Sequence, residues 1–432
     1  MTNGSQDVSR MGAFSTTVAY VAQFYPLWFT YNQSRFATHN RLVGPDRVSP
    51  LYHIVVAINV DTLYTSTFLE LAAEPVVLTI PETPVTYSML TLDPYGDIFN
   101  SGIPSQTAGT YAFTGPDYKG VIPDGITQVP MPLNVCTLIF RADKYSATGE
   151  DQMAEAEKFR KTLRIQTLSD YVKDPSGGEA WVLPEVAFAI PYKTIADNLI
   201  TKAPITFLKE LQTAVASSNT PPMLPAVQRL SEHFDSLFGD GSANLNEFSA
   251  GARAGHELIL DRYLTHTDAE RKHWITFLNM GDWGAQVVER SGITEVIQYG
   301  NGRSTAAYYH AFKDETGTPL DGDNGAGYVL TFSAEQIPQA KRFWSLTAYT
   351  PESIELIANS ANKYVVASYD QPEKGPDGSV SIYIAKEQPA GAPKANWLPV
   401  SHGRFNVMLR VYGPEGNVTG EYVPPGIRRI QG

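Results

Sequence analysis

Residues 343–349 read FWSLTAY, a run whose composition and alternation are typical of a strand in a β-sandwich. Turn residues separate several similar runs after residue 300, at 327–332, 364–368, 379–384 and 405–412. The turn Pro376-Asp377-Gly378 fits this reading, because proline presets φ and glycine tolerates positive φ. The C-terminal part is therefore predicted to form an antiparallel sandwich of the jelly-roll kind.

The N-terminal part shows a second set of short apolar runs. A nearly continuous apolar stretch from Phe14 to Phe29 predicts a buried helix that ends around Pro26. The apolar run Ile54 to Ile58 is predicted as a strand that ends just before Asn59. Further strands of a first β domain are predicted at 76–80, 87–92, 111–114 and 135–140.

Helical periodicity dominates the middle of the chain. Met153, Ala156, Phe159 and Leu163 share one face of a predicted helix, and further helices are predicted at 202–216 and 224–238. A capping-box pattern from Thr267 to Glu270 predicts another helix start. The expected fold is α+β and β-rich, with two antiparallel sandwich domains (1–145 and 301–432) flanking a mainly helical section (146–300).

Composition excludes several classes of protein. The 432 residues carry 45 acidic and 33 basic side chains, a net charge of −12 that would repel a nucleic acid backbone. The sequence has no run of 18 apolar residues, so no membrane span is expected. The first 13 residues do not resemble a secretory signal, which favours a cytoplasmic location. The single cysteine, Cys136, lies in an apolar run and is predicted to be a buried structural thiol.

The common catalytic and cofactor motifs are missing from the sequence. It contains no phosphate-binding glycine loop, no dinucleotide fingerprint and no Gly-x-Ser-x-Gly elbow. The eight histidines include no pair at the i, i+4 spacing of a helical zinc site. We therefore expect neither a metal nor a cofactor.

Three groups of polar residues remain as candidates for a site. The first is the segment Asn59 to Tyr64, where Asp61 and Tyr64 could line half of a pocket; alternatively Asp61 caps a turn and Tyr64 is core. The second is Arg303 with Tyr308, Tyr309 and His310, suited to orienting a carboxylate or polarising a carbonyl, or else to a structural ion pair. The third is aromatic and polar, and could bind a planar ligand or simply fill a core: Trp344, Tyr349, Asn362, Tyr364, Trp397 and Arg410.

Two segments carry a family resemblance. The run 59–66 (NVDTLYTS), with Pro75 to Leu78 and Tyr87-Ser88, resembles the domain of unknown function 1254. FWSLTAY at 343–349 resembles domain of unknown function 1214, together with 362–364, 377–379, 396–399 and 408–412. The resemblance implies β-sandwiches around a helical section, jelly-roll-like in the C-terminal part, and implies no settled activity. Bacterial relatives often carry a secretory leader, which is not recognisable here.

The first functional hypothesis is a cofactor-independent isomerase, lyase or cyclase that acts on a small molecule between the two β domains. Asp61 would transfer protons, with Tyr64 and Arg303 as further catalytic groups. The substrate would contact Asn59, Tyr308, Trp344, Tyr349, Asn362, Trp397 and Arg410. The alternative is a non-catalytic module that binds a sugar or another small ligand on the aromatic residues of the sandwich. Self-association into a homodimer suits either hypothesis.

Overall fold

The computed structural model describes residues 8–35, 38–184, 189–239 and 245–431. Over these residues the fold is α+β, as predicted. The helices are α1 (Ala13–Arg35), α2 (Met153–Thr162), α3 (Leu168–Lys173), α4 (Tyr192–Lys202), α5 (Pro204–Val215), α6 (Pro225–Gly239), α7 (Leu245–Leu264) and α8 (Val287–Ile297). None of these helices is long and apolar enough to cross a membrane.

Seven strands form the N-terminal sandwich. They are β1 (Thr62–Glu70), β2 (Val76–Ile80), β3 (Tyr87–Leu92), β4 (Gly109–Thr114), β5 (Thr127–Pro130), β6 (Val135–Asp143) and β7 (Arg164–Thr167). One sheet has the order β1-β6-β3 and the other β5-β4-β2-β7, with only the β4–β5 pair parallel. Their facing sides share one apolar core, to which Leu78, Phe113 and Leu138 contribute, and Phe159 of α2 packs into it. Strand pairing in this region thus continues past residue 145, to Thr167.

The C-terminal sandwich contains eight strands. They are β8 (Ala306–Ala311), β9 (Tyr328–Phe332), β10 (Ala340–Tyr349), β11 (Val365–Ala367), β12 (Val380–Ala385), β13 (Trp397–Pro399), β14 (Asn406–Pro414) and β15 (Ile427–Arg429). Their sheets have the orders β11-β10-β14-β8 and β13-β12-β9-β15. The stretch FWSLTAY lies in β10, and its Trp344, Leu346 and Ala348 enter the core between the two sheets. Phe343 and Tyr349 project from the opposite face, so this strand is buried on both sides.

Helix α1 is the centre of the helical section. It packs against α5, α6, α7 and α8 and continues through Pro26, where the sequence had predicted its end. A proline inside a helix leaves the carbonyl four residues earlier without its amide partner. Here Ser291 of α8 donates its hydroxyl to that carbonyl, on Ala22, at 2.8 Å. Tertiary hydrogen bonding thus compensates for the defect, and the helix extends to Arg35.

Two local predictions were wrong. No helix begins at the Thr267 capping box: Thr267 Oγ1 donates instead to the carbonyl of Trp274, and Lys272 and His273 adopt positive φ. The run 54–58 is an irregular segment rather than a strand, with Ala57 at φ 51°. Helices α3, α4, α7 and α8 and strands β1, β5, β7, β8, β13 and β15 had not been predicted.

In each sandwich one sheet has a face that lies outside that sandwich's own core. These two faces lie opposite each other. In the N-terminal sandwich this is the face of β1 and β6, and in the C-terminal sandwich it is the face of β8, β10 and β14. The irregular segment 52–60 and the end of α8 fill the edges. A buried ion pair between Arg342 of β10 and Asp143 of β6 connects the two sandwiches directly.

Candidate functional site

A cavity lies between these two faces. Its walls alternate along the strands as the β period requires: residues 64, 66 and 68 of β1, 137, 139 and 141 of β6, and 410 and 412 of β14. Its volume is about 110 Å³. Most of the wall is apolar, contributed by Ile54, Val55, Val56, Ile58, Phe68, Ile139 and Ile297. An apolar cavity with a few convergent polar groups is the usual form of a small-molecule site.

One polar group comes from the N-terminal sandwich. Arg141 is paired with Tyr64 across the β1–β6 ladder, and its guanidinium lies 5.3 Å from the centre of the Tyr64 ring. Arg141 donates to the side-chain oxygen of Asn301 at 2.9 Å and to the carbonyl of Tyr299 at 2.6 Å. These two contacts fix the guanidinium at the cavity wall.

A second arginine comes from the C-terminal sandwich. Arg410 is paired with Tyr308 across the β14–β8 ladder and is 2% exposed. Its Nη2 donates to the carbonyl of Ala57, and its guanidinium lies 5.4 Å from the centre of the Tyr349 ring. Its Nη1 has no hydrogen-bond partner within the described chain.

The hydroxyl oxygens of two tyrosines at the cavity accept hydrogen bonds from neighbouring asparagines. Asn301 donates twice to the Tyr308 hydroxyl, through its backbone and side-chain nitrogens, both at 2.9 Å. Asn59 Nδ2 donates to the Tyr412 hydroxyl at 2.7 Å. Because each phenol oxygen already accepts, each can direct its own hydrogen to a further acceptor. Both side chains line the cavity.

The surroundings of Tyr412 and Arg410 determine their protonation states. Burial raises the pKa of Tyr412 well above its ordinary value, against the opposing charges of Arg141 and Arg410, so Tyr412 stays protonated. Burial opposes the charge of Arg410, but the neighbouring Tyr349 and Tyr412 outweigh it and raise the pKa of Arg410. The cavity thus presents a neutral phenol donor between two cations.

Asn59 and Asp61 form the support beneath this wall. The Asn59 side-chain oxygen accepts from the backbone nitrogens of Asp61 and Thr62, at 3.1 and 3.2 Å. Asp61 accepts from the hydroxyls of Ser345 at 2.8 Å and Tyr369 at 2.5 Å, and it does not line the cavity. Tyr349 donates to the carbonyl of Ile58 at 2.7 Å. The segment before β1 is therefore tied to β10 and β14 of the other sandwich.

The structure brings some of the candidate residues together and separates others. Asn59, Tyr64, Tyr308 and Arg410 line one cavity. Four others lie elsewhere, each with its own structural contacts. Arg303 donates to the carbonyls of Val418 and Gly420. Trp344 is in the sandwich core, and Trp397 Nε1 donates to the carbonyl of Ala385. Asn362 is exposed.

Among the wall residues that sequence reasoning missed are Arg141, Tyr299 and Tyr412. Arg141 directly follows the mainly apolar run 135–140, and a buried strand carries a charge only where something compensates it. That signal was readable. Tyr299 follows a helix and has φ 64°, which the sequence does not reveal.

A separate ionic cluster lies in the helical section. Lys193 of α4 contacts Asp197 at 2.7 Å and Glu295 at 2.5 Å, and His256 lies 3.2 Å from Glu295. The oxygens and imidazole nitrogen of Asp197, His256 and Glu295 are close enough together for a metal. The Lys193 ammonium already bridges the two carboxylates as a cation would. The cluster is thus an ion-pair network that joins α4, α7 and α8.

The fold and cavity define a class of protein: two antiparallel sandwiches joined by a helical section, with a mainly apolar cavity between their outer faces. The family model DUF1254 matches residues 37–167 and DUF1214 matches residues 305–416, both described as proteins of unknown function. The chain therefore belongs to the family that combines these two domains, as the sequence motifs indicated. No curated protein matches it.

A solved structure shares the fold. A crystal structure of a protein from Vibrio parahaemolyticus aligns with a TM-score of 0.60 at 21% identity, covering 97% of this chain and 100% of its own. An uncharacterised protein from Burkholderia cenocepacia aligns with a TM-score of 0.44 at 14% identity, covering 96% of this chain and 94% of its own. The first likeness extends the fold to a bacterial relative.

Proposed function

We propose that this protein is a cofactor-independent enzyme of the isomerase, lyase or cyclase type, acting on a small carbonyl compound in the cavity between the sandwiches. The observation that carries the proposal is the pair of phenols, Tyr308 and Tyr412, whose oxygens are already occupied by donated hydrogen bonds. Each phenol therefore has a hydrogen to donate toward a ligand. Two such donors suit an oxygen that gains negative charge during reaction.

The roles of the residues follow from their positions. Tyr308 and Tyr412 would donate to the carbonyl oxygen of the substrate as an enolate forms. Tyr64, with Arg141 over its ring, would as its phenolate accept the proton that leaves the carbon beside the carbonyl, and would return it to the enolate at another carbon. Asp61 was the first candidate for proton transfer, but both of its oxygens accept hydroxyls below the wall. We therefore assign Asp61 and Asn59 to positioning, and we leave Arg303 out of the site.

A naphthol probe tests the phenol pair. Its oxygen ionises to an anion that imitates an enolate, and the ionised form has its own fluorescence. We expect the pKa of protein-bound naphthol to fall by about one unit or more relative to water, because the phenols favour the anion. The variants Tyr308→Phe and Tyr412→Phe should each reverse most of that fall.

The matched control is Tyr309→Phe. Tyr309 precedes His310 on the same strand as Tyr308 but enters the sandwich core, where Arg303 donates to its hydroxyl at 3.0 Å. This variant should leave the ionisation of bound naphthol unchanged. If naphthol does not bind, or binds with its pKa unchanged or raised, the proposal is wrong.

Ligand binding without turnover is the second candidate, favoured by the same apolar cavity. It would not use Trp344 and Trp397 for stacking, since Trp344 lies in the sandwich core and the ring nitrogen of Trp397 is bonded to a backbone carbonyl. Saturable binding of the naphthol, with no change in its ionisation on removal of either phenol, would favour this candidate over the enzyme.

A further inference from the structure

We infer that the natural ligand of the cavity is a carboxylate with an apolar body, and that Arg410 binds its anionic group. This inference rests on the proposed function only in assuming that the cavity binds a small molecule. It adds the chemical class of that molecule. The evidence for it is the environment of Arg141 and Arg410 and not that of Tyr308 and Tyr412.

The charge of the cavity is one-sided. Arg141 and Arg410 are the only charged side chains among the described residues that line it. Both are buried, at 5% and 2% exposure. A buried cation is costly unless an anion or a full set of acceptors compensates it.

Two other buried arginines, Arg160 and Arg290, and the partly buried Arg342 each face a carboxylate, although Arg160 and Arg290 also have side-chain nitrogens without a hydrogen-bond partner. Arg160 lies 3.9 Å from a carboxylate oxygen of Asp46, and Arg290 lies 3.4 Å from one of Asp97. Arg342 is paired with Asp143. Within the described residues, no carboxylate lies within ion-pair distance of Arg141 or Arg410. The two buried arginines without an acidic partner are thus the two at the cavity.

Arg410 is the less satisfied of the two. Arg141 uses two of its nitrogens on protein oxygens, whereas Arg410 donates Nη2 to one carbonyl and lies beside the Tyr349 ring, and its buried Nη1 has no partner in the described part of the chain. A guanidinium presents a planar fork of donors that matches the two oxygens of a carboxylate. The Arg410 side chain is therefore arranged to receive one anionic group.

The rest of the wall specifies the remainder of the ligand. Ile54, Val56, Ile58, Ile139 and Ile297 offer no hydrogen-bonding side-chain atoms. A ligand body in contact with them gains from burial only if it is apolar itself. A monocarboxylate with an aliphatic or aromatic body fits both parts of the wall.

The test compares carboxylates with their neutral amides. Octanoate, decanoate and phenylpropionate are titrated into the full chain by calorimetry, beside octanamide, decanamide and phenylpropionamide. We expect at least one carboxylate to bind about tenfold or more tightly than its amide, because a charge-assisted hydrogen bond is stronger than a neutral one. In Arg410→Met this preference should fall to about threefold or less, since the paired charge is gone.

Controls separate loss of recognition from loss of fold. Arg303→Met removes an arginine outside the cavity and should leave the preference intact. Arg410→Lys keeps the cation without the fork and should retain an intermediate preference. If Arg410→Met does not fold, Arg410→Lys carries the test, and a carboxylate preference in it as large as in the unmodified protein would overturn the inference.

The outcomes distinguish this inference from the proposed function. Equal binding of carboxylate and amide would overturn the anion site while leaving the cavity and its phenols in place. A carboxylate preference that survives Arg410→Met would also overturn it. Binding of none of the six probes would count against both the anion site and the cavity. A preference that is lost in Arg410→Met, reduced in Arg410→Lys and intact in Arg303→Met supports it, whatever the naphthol probe shows.

Discussion

Asn59 Nδ2 donates to the hydroxyl of Tyr412 at 2.7 Å, a hydrogen bond between residues 353 positions apart. The same side chain accepts, through its oxygen, from the backbone nitrogens that begin β1. One asparagine therefore connects the start of β1 in the N-terminal sandwich to the Tyr412 hydroxyl in the C-terminal sandwich. This connection explains how two separately folded sandwiches can share one cavity wall.

Replacing Asn59 with alanine should destabilise the protein by about 2 to 3 kcal/mol, because buried donors lose their partner. Chemical denaturation measures the change. The control is Asn198→Ala, at a half-exposed position of α4 where alanine favours the helix. A loss in Asn59→Ala no larger than in the control would mean that Asn59 does not support the wall.

Asp61→Asn should lower the free energy of unfolding by about 2 kcal/mol, since a buried carboxylate accepts two hydroxyls there and an amide accepts less well. Tyr369→Phe and Ser345→Ala should be non-additive with it in a double-mutant cycle. Asp377→Asn, in an exposed turn, should leave the melting temperature unchanged. An Asp61→Asn protein of undiminished stability that loses naphthol ionisation would return Asp61 to the role of proton-transfer group.

His310 should make the protein less stable as the pH falls. Burial lowers the pKa of His310 to about 3, and its two ring nitrogens are bonded to Tyr263 and Asn406 at 2.7 Å. Between the ordinary pKa near 6.5 and about 3, the unfolded chain binds a proton that the folded chain does not.

The expected loss from this residue is up to about 1.4 kcal/mol for each pH unit in that window. Urea denaturation at several pH values measures it, with His310→Gln as the reference. The reference protein should show a shallower decline of stability toward pH 4. Parallel curves would contradict the account of a neutral, buried His310.

Some elements of the fold could be predicted from the sequence and others could not. Part of each sandwich follows from alternation and turn residues, because those signals are local: β2, β3 and β12 begin and end within a residue or so of the prediction, whereas β1, β7 and β8 were not predicted. The length of α1 was not predictable, because the group that accommodates Pro26 is Ser291, far along the chain. The irregular run 54–58 depends on Arg410 and Tyr349, which hydrogen-bond its carbonyls.

The candidate site was predictable only in part, because residue type is visible in the sequence and position in the fold is not. Asn59, Tyr64, Tyr308 and Arg410 could be selected by residue type, and they meet at one cavity. Arg303 and Trp344 have suitable side chains, but their strands or loops present them to other surfaces. Which face of a sheet a residue occupies depends on register, and register across two sandwiches is a property of the folded chain.

Cys136 should be inert in the native protein. It is 1% exposed on β6, and burial raises the pKa of its thiol to about 12, so almost no thiolate is present at neutral pH. A chromogenic disulfide reagent should react with it only at the rate of unfolding, and at once in denaturant. Rapid reaction without denaturant would show that this strand is accessible.

Glu295→Gln should destabilise the helical section by about 3 to 5 kcal/mol, because it leaves the buried Lys193 without its main counter-ion. Thermal unfolding measures this, and Glu232→Gln on exposed α6 is the control. Adding a chelator or zinc should leave the melting temperature of the unmodified protein unchanged, since Lys193 already bridges the carboxylates. A rise with zinc would identify the cluster as a metal site.

The central claim is that one cavity, formed by both sandwiches, binds an apolar carboxylate. The most direct measurement is a crystal structure of the protein soaked with decanoate. We expect the carboxylate oxygens within hydrogen-bond distance of Arg410 Nη1 and the alkyl chain along Ile139 and Ile297. Electron density for decanoate outside this cavity, or with its carboxylate turned away from Arg410, would contradict the claim.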